Sequence, residues 1–356
     1  MLPPFPPPAL LPREPVVSII ITNHNYARFL PSALSSARDQ RGAPIEVIVV
    51  DDGSTDESRE ILARQGDEVR VVLQERQGQK ASFNAGFAIA KGDIVLFLDA
   101  DDVLAPGTAS AVATALVERQ GAGRAVFRLE VIDECGLPTG AVIPSAHMAL
   151  PDGDVRQPAL NHPDDLPWPP TSGNAFAAWA LRRIMPIPVD DQLADADMVL
   201  HALTPLLAPV VAVDRVSGGY RLHGANAAFR EGLDAERSRS ILRAAERTHA
   251  AARQLAVELG YPPPRPRSVM LGVHRLLSLR LGGDGHPVPG DSRWRAIAAG
   301  MTAARGRADV GPVRRAQYAA WFLTAGLAPR RNLAFLSRAA LQQARPASPR
   351  RWFPNR

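Results

Sequence analysis

Cysteine is almost absent from this chain of 356 residues, in which Cys135 is the only one. A single cysteine excludes an intrachain disulfide framework and a cysteine-based zinc site. The same scarcity is typical of proteins that work in a reducing compartment, so we expect a cytoplasmic protein.

Long apolar runs are missing as well. No stretch approaches the roughly 18 apolar residues that a membrane-spanning helix needs, so the sequence predicts a soluble or at most a peripheral protein.

Lysine occurs only at Lys80 and Lys91, and arginine therefore carries most of the positive charge. Positions 261–356 hold 17 arginines, no lysine and three aspartates, a surplus of 14 positive charges in a chain of net charge +5. The remainder therefore carries −9, and an acidic body with a basic end indicates two functional regions.

The familiar phosphate-binding loops are also absent. The first apolar run is followed by "TNHNYARF", which lacks the glycines of a G-x-G-x-x-G turn, and neither G-x-x-x-x-G-K-[ST] nor G-x-S-x-G occurs. A nucleotide, if one binds, must be held in another way.

Apolar strands alternate with amphipathic helices in the first hundred residues. The pattern predicts strands at 16–22, 45–51, 69–74 and 93–99. Helices are predicted in "YARFLPSALSSARDQ" and "KASFNAGFAIA", and a capping box at Ser54–Glu57 is expected to open a helix that runs to about Gln65. This alternation predicts an α/β fold with a doubly wound parallel sheet and helices on both faces.

The rest of the chain is less regular. We expect a helix at 106–120, a strand in "RAVFRLEVID", loops over 136–172, a helix in "GNAFAAWALRRI" and a strand at 210–214. The predicted organisation is a flexible proline-rich tail at 1–14, an α/β domain at 15–227 with halves 15–120 and 121–227, and a basic helical region at 228–356. Prolines at 262–266 and a Gly/Pro stretch at 281–290 are expected to break its helices.

Polar clusters follow the predicted strands: "TNHN", "DDGSTD", "ERQGQK" and "DADD". Ligands of such sheets bind beyond the carboxyl ends of the strands, so these clusters indicate a site. In "DADD", Asp99 and Asp101 could present oxygens to one Mg²⁺ or Mn²⁺ ion. An isolated D-x-D is more often a solvated turn, but here it stands with three other strand-end clusters.

Three segments, "SIIITNHNYARFLPSALSSARDQ", "EVIVVDDGSTDES" and "GQKASFNAGFAIAKGDIVLFLDADD", occur in order over residues 15–120. Together they resemble a family 2 glycosyltransferase with the GT-A fold. A second, looser block, "PPTSGNAF", "ADADMVL" and "YRLHGAN", extends the resemblance to about residue 227. The resemblance implies an inverting transfer of a sugar from a nucleotide-diphosphate donor, with a UDP-sugar favoured, to a saccharide or lipid-linked acceptor in the synthesis of a surface polysaccharide or glycoconjugate.

The resemblance also implies roles for single residues. The nucleobase and nucleotide would be bordered by Thr22, Asn23, Asn25, Asp51, Asp52 and Lys80, although a lysine at a helix start is as often simply solvated. Asn84 would orient a loop, Asp99 would face the ribose or the metal, and Asp101 would be the main ligand of Mg²⁺ or Mn²⁺. His223 would lie near the metal and the diphosphate, and Arg221 beside it is a candidate phosphate contact.

An inverting transfer needs a general base opposite the leaving group. In "PVDDQLADADMVL" the base that the resemblance implies is Asp197, with Asp195 as a competitor; Asp190 and Asp191 are further carboxylates there. Aspartate is also favoured at a helix N-terminus for electrostatic reasons alone. Trp168 and Trp179 could stack on an acceptor sugar, with core packing as the alternative for Trp179.

The segment "RRAQYAAWFLTAGLAPRR" flanks an uncharged run, 316–329, with pairs of arginines. It suits either a helix at an anionic membrane surface, such as the inner face of the plasma membrane, or a helix packed on the body of the protein. Nucleic-acid binding is disfavoured because no recognisable module accompanies the charge. Two other functions stay open: an inactive sugar-nucleotide-binding or scaffold protein, and a nucleotidyltransferase.

Overall fold

The strands and helices of the chain are taken from a computed structural model, which describes residues 2–189, 195–224, 235–262, 267–282, 285–307, 310–330, 332–333 and 336. The described residues form nine β-strands: Val17–Asn23 (β1), Ile45–Asp52 (β2), Val69–Gln74 (β3), Ile94–Asp99 (β4), Val103–Leu104 (β5), Arg124–Ile132 (β6), Pro138–Ile143 (β7), Asn174–Ala177 (β8) and Val210–Arg221 (β9). They also form eleven α-helices: Leu30–Arg38 (α1), Ser58–Ala63 (α2), Gln79–Ile89 (α3), Thr108–Glu118 (α4), Arg156–Asn161 (α5), Ala178–Leu181 (α6), Ala196–Leu207 (α7), Ala235–Glu258 (α8), Val269–Leu281 (α9), Arg293–Gly306 (α10) and Pro312–Leu327 (α11).

The first four strands of the predicted sheet form its parallel half, in the spatial order β3-β2-β1-β4. The register sets Asn23 beside Asp51 and Thr22 beside Asp99. Since parallel strands end at the same edge, the polar residues that follow them in sequence lie side by side in space.

Helices cover both faces of this half, as predicted. Along β1, Ile19 and Ile21 are buried in a cluster with α1 and α4, whereas Ile20 is buried on the opposite face with α3, α7 and α8. Each fully buried isoleucine contributes roughly 1.5–3 kcal/mol of hydrophobic stabilisation. The doubly wound α/β fold with helices on both faces is confirmed.

The second half of the sheet is mixed rather than parallel. β8 lies antiparallel between β4 and β6, β9 runs parallel to β6, and β5 and β7 pair antiparallel at its margins. The helix predicted for "GNAFAAWALRRI" was therefore wrong over Asn174–Ala177, which form β8. The gap between β4 and β6 is filled by this segment, and tertiary pairing overrides the helix propensity of its alanines.

Two other local predictions were also wrong. The helix α2 begins at Ser58 with no side-chain cap at Glu57, so the capping box at Ser54–Glu57 does not form. The Ser54 hydroxyl instead accepts hydrogen bonds from Asn23 at the end of β1 and from Asn25 in the loop after it, and these partners compete with the helix end. The region expected to be loops, 136–172, contains β7 and α5.

The C-terminal helices pack together around Phe322. A Cβ atom built on Gly300 would lie 2.3 Å from this ring, so only glycine permits the close approach of α10 to α11. Two breaks between the helices, after Glu258 and after Leu281, include the predicted stretches, whereas a third, between Gly306 and Pro312, was not predicted. The buried carboxylate of Asp165 accepts from Val269 N at the start of α9 and pairs with Arg307 at 3.3 Å, which ties the helices to the α/β body.

The proline-rich N-terminal segment has no regular secondary structure and lies against the body. The Arg156 guanidinium stacks over the ring of Phe5 at 3.7 Å and donates to the Pro3 carbonyl. Further along the segment, Leu11 N donates to the side chain of Gln120.

Candidate functional site

The end of β2 is held by a buried network around Asp51. Asp51 is completely buried and accepts from Asn23 Nδ2 at 2.8 Å, from Ser54 N at 3.1 Å and from Arg59 Nε at 3.0 Å. Burial alone would raise the pKa of Asp51, but the hydrogen bonds from Ser54, Asn23 and Arg59 lower it. The carboxylate is therefore ionised, and all of these partners come from the protein itself.

Asp52 holds the loop that follows β3. Its carboxylate accepts from the backbone N–H groups of Gln77 at 2.7 Å and Gly78 at 2.8 Å, and from Gln74 Nε2 at 2.7 Å. The next residue, Gly53, has φ +70°, and a Cβ there would lie 2.7 Å from Arg76 N. Only glycine therefore fits the turn that lets Asp52 reach the loop.

Asn25 links the loop after β1 to the loop after β2. Its φ of 58° is in the left-handed region, which asparagine tolerates better than most residues. The backbone N–H of Asn25 donates to Ser54 Oγ at 2.9 Å, and its Oδ1 accepts from Thr55 N at 2.7 Å. The two polar clusters that the sequence predicts at neighbouring strand ends are thus in direct contact.

Asp99 ends β4 and faces the start of α3. Its Oδ1 accepts from Gln79 Nε2 at 3.2 Å and lies 3.4 Å from Thr22 Oγ1. Lys80 follows Gln79 in the first turn of α3 and is half-buried. Burial and the negative charges of Asp101 and Asp197 raise the pKa of Asp99 to about 7, against the hydrogen bonds from Gln79 and Thr171.

Asp101 and His223 are brought together by the fold. His223 Nε2 lies 2.8 Å from Asp101 Oδ2, and both residues are buried. The imidazole packs edge-on against Tyr26 and at 4.8 Å from the ring of Phe29. These aromatic contacts fix the ring plane, so that one ring nitrogen points at the carboxylate.

Arg221 is buried and contacts the acidic turn formed by Asp99, Asp101 and Asp102. Its Nε donates to the Asp101 carbonyl at 2.8 Å, and its backbone N–H donates to Asp102 Oδ1 at 2.9 Å. The Arg221 guanidinium, which the sequence offers as a candidate phosphate contact, thus donates to backbone carbonyls of its own chain. Burial and the charges of Asp101 and Asp99 raise the pKa of Asp102.

Asp197 and Asp195 lie at the start of α7 in different environments. Asp195 is the exposed N-cap residue, whereas Asp197 is half-buried in the first turn. Burial and the neighbouring charge of Asp195 raise the pKa of Asp197 to about 6, while Met198 N and the charge of Arg124 lower it. Of the carboxylates in this segment, Asp190 and Asp191 lie outside the described residues.

Asn84 connects α3 to the segment that precedes α7. Its Nδ2 donates to the Ile187 carbonyl at 2.7 Å, and its Oδ1 accepts from Ile187 N at 2.8 Å. The side chain therefore orients a loop, by a reciprocal pair of hydrogen bonds that the sequence does not reveal.

Arg124 is a buried cation that the sequence gave no reason to single out. Its guanidinium is only 1% exposed, donates to Asn174 Oδ1 and stacks over the Trp168 ring at 4.1 Å. The opposite helix α7 contributes His201, whose ring stacks on Trp168. Trp179, in contrast, is a core residue. The only local signal for Arg124 was its position at the start of an apolar strand.

A divalent cation fits the chemistry of the acidic turn. Asp99, Asp101 and Asp102 follow one strand and repel one another, as the raised pKa of Asp99 and of Asp102 indicates. Hard oxygen ligands of this kind suit Mg²⁺ or Mn²⁺. Over the residues that the structure describes, no group of three or more His, Cys, Asp or Glu side chains could hold a metal ion. A nucleotide-bound Mg²⁺ needs only one or two protein carboxylates, because phosphates and water supply its other oxygens.

Known proteins resemble this chain in sequence and in fold. Residues 18–141 match the model of glycosyl transferase family 2. An uncharacterized glycosyltransferase of Nostoc sp. is 34% identical over 216 residues, 59% of this chain and 66% of the relative. The undecaprenyl-phosphate 4-deoxy-4-formamido-L-arabinose transferase of Aeromonas hydrophila is 44% identical over 94 residues, 24% of this chain and 29% of the relative. The crystal structure of S. aureus TarS 1–349 superposes with a TM-score of 0.52 at 15% identity, over 92% of this chain and 91% of that one.

The matched segment contains most of the strand-end residues described above, from Thr22 to Asp101. The chain is therefore similar to glycosyl transferase family 2 over residues 18–141, and its fold is the GT-A fold. In both relatives the match spans less than two thirds of the relative's own length. Among the helices of the described residues, none combines the length and the hydropathy needed to cross a membrane.

Proposed function

We propose that the chain is a metal-dependent inverting glycosyltransferase that moves a sugar from a nucleotide-diphosphate donor, in the first instance a UDP-sugar, to an acceptor hydroxyl. The observation that carries the proposal is the placement of Asp197 close enough to Asp99 for its charge to raise the pKa of Asp99, at the carboxyl edge of the sheet. A candidate base and a candidate metal site thus lie near each other at this edge of the sheet, as an in-line displacement requires.

Asp101, with Asp99 or His223 beside it, would hold a Mg²⁺ or Mn²⁺ ion, and phosphate and water oxygens would complete its coordination. When bound, such an ion neutralises charge that develops on a departing diphosphate. The nucleotide would lie over the loops joined by the polar network, bordered by Thr22, Asn23, Asn25, Asp51, Asp52 and Lys80. In this arrangement Asp52 positions the loop 75–78 beside the nucleobase, and Asn84 positions the segment before α7.

Asp197 would accept the proton of the acceptor hydroxyl as this hydroxyl attacks the anomeric carbon. A carboxylate whose pKa is about 6 is still mostly ionised at pH 7, and it is a stronger base than an ordinary aspartate. Its half-buried position in the first turn of α7 favours it over the exposed Asp195.

The acceptor would be a saccharide or a lipid-linked saccharide in polysaccharide or glycoconjugate synthesis at the inner face of the plasma membrane. The name of the A. hydrophila relative, an undecaprenyl-phosphate sugar transferase, supports a lipid-linked partner for this chain.

The test is a calorimetric titration of the protein with UDP-, GDP- and dTDP-sugars, with and without Mn²⁺. One donor should bind in the presence of the ion, and the binding should weaken at least tenfold in Asp101→Asn but not in the control Asp67→Asn, an exposed carboxylate. If folded protein binds none of the donors with the ion present, the transferase proposal is wrong and a scaffold role takes its place. Release of pyrophosphate from a nucleoside triphosphate would instead identify a nucleotidyltransferase.

A further inference from the structure

The outward side of helix α11 carries no charge. From Val313 onward, its exposed positions recur every three or four residues and are Val313, Ala316, Gln317, Ala320, Leu323, Thr324 and Leu327. The solvent side of α8, by comparison, carries ordinary charged residues, Glu236, Arg243, Glu246 and Arg247. A helix on the surface of a soluble domain normally has a polar, charged outer side, so α11 departs from this pattern.

The apolar residues on this side are well exposed. Leu323 is 43% and Leu327 is 59% exposed, while Phe322, next to Leu323 in the chain, is fully buried in the helical cluster. The helix is therefore firmly anchored on its inner side and presents two leucines one turn apart on its outer side.

Arginines surround the C-terminal end of the same helix. Arg280 of α9 donates to three carbonyl oxygens there, those of Ala325, Gly326 and Ala328. Burial, together with the nearby charges of Arg293 and Arg330, lowers the pKa of Arg280. Arg280 thus lies against the last turn of α11, and Arg293 and Arg330 are near enough to Arg280 for their charges to act on it.

An exposed tryptophan stands at the start of α10, one turn before Ile297, which lies against Gly326 of α11. The Arg293 guanidinium lies 4.7 Å from the centre of the Trp294 ring, which is 60% exposed at the start of α10. Tryptophan and arginine together are favoured at the boundary between lipid headgroups and acyl chains. Positions 261–356 hold 17 arginines and only three aspartates, so this region carries the positive charge that an anionic surface attracts.

We propose that Trp294, Leu323 and Leu327, with Arg293 and Arg330, form a docking surface for a membrane of anionic phospholipids. The leucines and the tryptophan would enter the headgroup region, and the arginines would contact lipid phosphates. This surface goes beyond the proposed transfer reaction, because it can bind a membrane whether or not a sugar is transferred.

The test is co-sedimentation of the full chain with vesicles, in the absence of donor and acceptor. The protein should pellet with vesicles of phosphatidylglycerol and phosphatidylcholine but not with phosphatidylcholine alone. The double variant R293Q/R330Q should bind roughly 20- to 30-fold more weakly, at about fivefold per arginine. The double variant L323E/L327E should lose binding at least tenfold, whereas the control Leu137→Glu, an exposed leucine (63%) of the α/β domain, should bind like the original protein.

Fluorescence supplies a second measurement that does not depend on the charge variants. Binding to anionic vesicles should shift the tryptophan emission to the blue, and Trp294→Phe should remove that shift. Binding that R293Q/R330Q weakens but L323E/L327E leaves intact would indicate a general polyanion site, such as one for nucleic acid, and would overturn the proposal. Equal binding to neutral and anionic vesicles, or no binding to either, would overturn it as well. All the altered side chains are exposed, and thermal melting of each variant checks that it folds.

Discussion

The imidazole Nε2 of His223 lies 2.8 Å from the Oδ2 atom of Asp101, although 122 residues separate the two in the chain. Both side chains are buried, and the aromatic rings of Tyr26 and Phe29 hold the imidazole in place. The pair joins the end of β4 to the end of β9, so the candidate metal site depends on both halves of the sheet.

Replacement of His223 by asparagine should weaken the metal site without unfolding the protein. We expect the Mn²⁺ concentration that gives half-maximal transferase activity to rise about 10- to 100-fold, since losing a group that ligates or orients a ligand has this effect. A Mn²⁺ titration of activity measures it, with the exposed His147→Asn as the control. An unchanged Mn²⁺ requirement would remove His223 from the site.

Asp197→Asn should separate catalysis from donor binding. Loss of a general base lowers kcat by about 10²–10⁴-fold, whereas the affinity for the donor should stay within about twofold. Asp195→Asn should lower kcat less than tenfold, because its side chain is exposed at the N-cap. Steady-state kinetics and donor calorimetry on both variants make the comparison. If Asp195→Asn were the more damaging change, the roles of the two residues would be reversed.

The pH dependence follows from the raised pKa of Asp197, about 6. A base acts only when it is deprotonated, so kcat/KM should be level above pH 7 and fall tenfold per pH unit well below pH 6. An ordinary aspartate, with a pKa near 3.9, would keep the rate level down to about pH 5. Arg124→Met should move the midpoint upward, because the buried cation lowers the pKa of Asp197.

Asp99→Asn should stabilise the metal-free protein at high pH. The pKa of Asp99 is about 7 in the folded state and near 3.9 in an unfolded chain, so the folded state binds the proton more tightly. The protonated Asp99 side chain therefore contributes fully to the unfolding free energy below pH 4. This contribution is lost as the pH rises from 4 to 7, and it stays lost above pH 7. At pH 8 the variant should therefore gain roughly 2–4 kcal/mol of unfolding free energy, and at pH 4 almost none.

Denaturant unfolding at the two pH values measures this difference. Mn²⁺ added at pH 8 should reduce the difference in unfolding free energy between the variant and the original protein, because a bound cation offsets the repulsion between the carboxylates in the original protein. If the Asp99→Asn variant were less stable than the original protein at pH 8, the carboxylates of the acidic turn would not repel one another as inferred.

Gly53→Ala should cost roughly 1–3 kcal/mol, because φ is +70° and the added Cβ would lie 2.7 Å from Arg76 N. The matched control is Gly66→Ala, where no atom lies within 4 Å of the added Cβ. Thermal melting of the two variants compares them. The loop held by Asp52 should also loosen, so donor affinity should fall in Gly53→Ala alone; equal effects in the two variants would show that the turn does not require glycine.

The amino-acid pattern alone is enough to predict the parallel half of the sheet and the polar residues at its edge. Continuous β-branched runs can only be buried on both faces, and this places "DDGSTD" and "DADD" at one edge without further information. The roles of the residues at this edge, and the domain boundaries, remain predictions.

The second half of the sheet depends on long-range contacts. Asn174–Ala177 form a strand because this segment fills the space between β4 and β6, and the capping box is replaced by the contacts of Ser54 with Asn23 and Asn25. The pairing of Asp101 with His223, the loop held by Asn84 and the burial of Arg124 depend on contacts between residues 50 to 122 positions apart, which no local pattern encodes. Local propensity acts over a few residues, whereas these contacts exist only after the sheet has assembled.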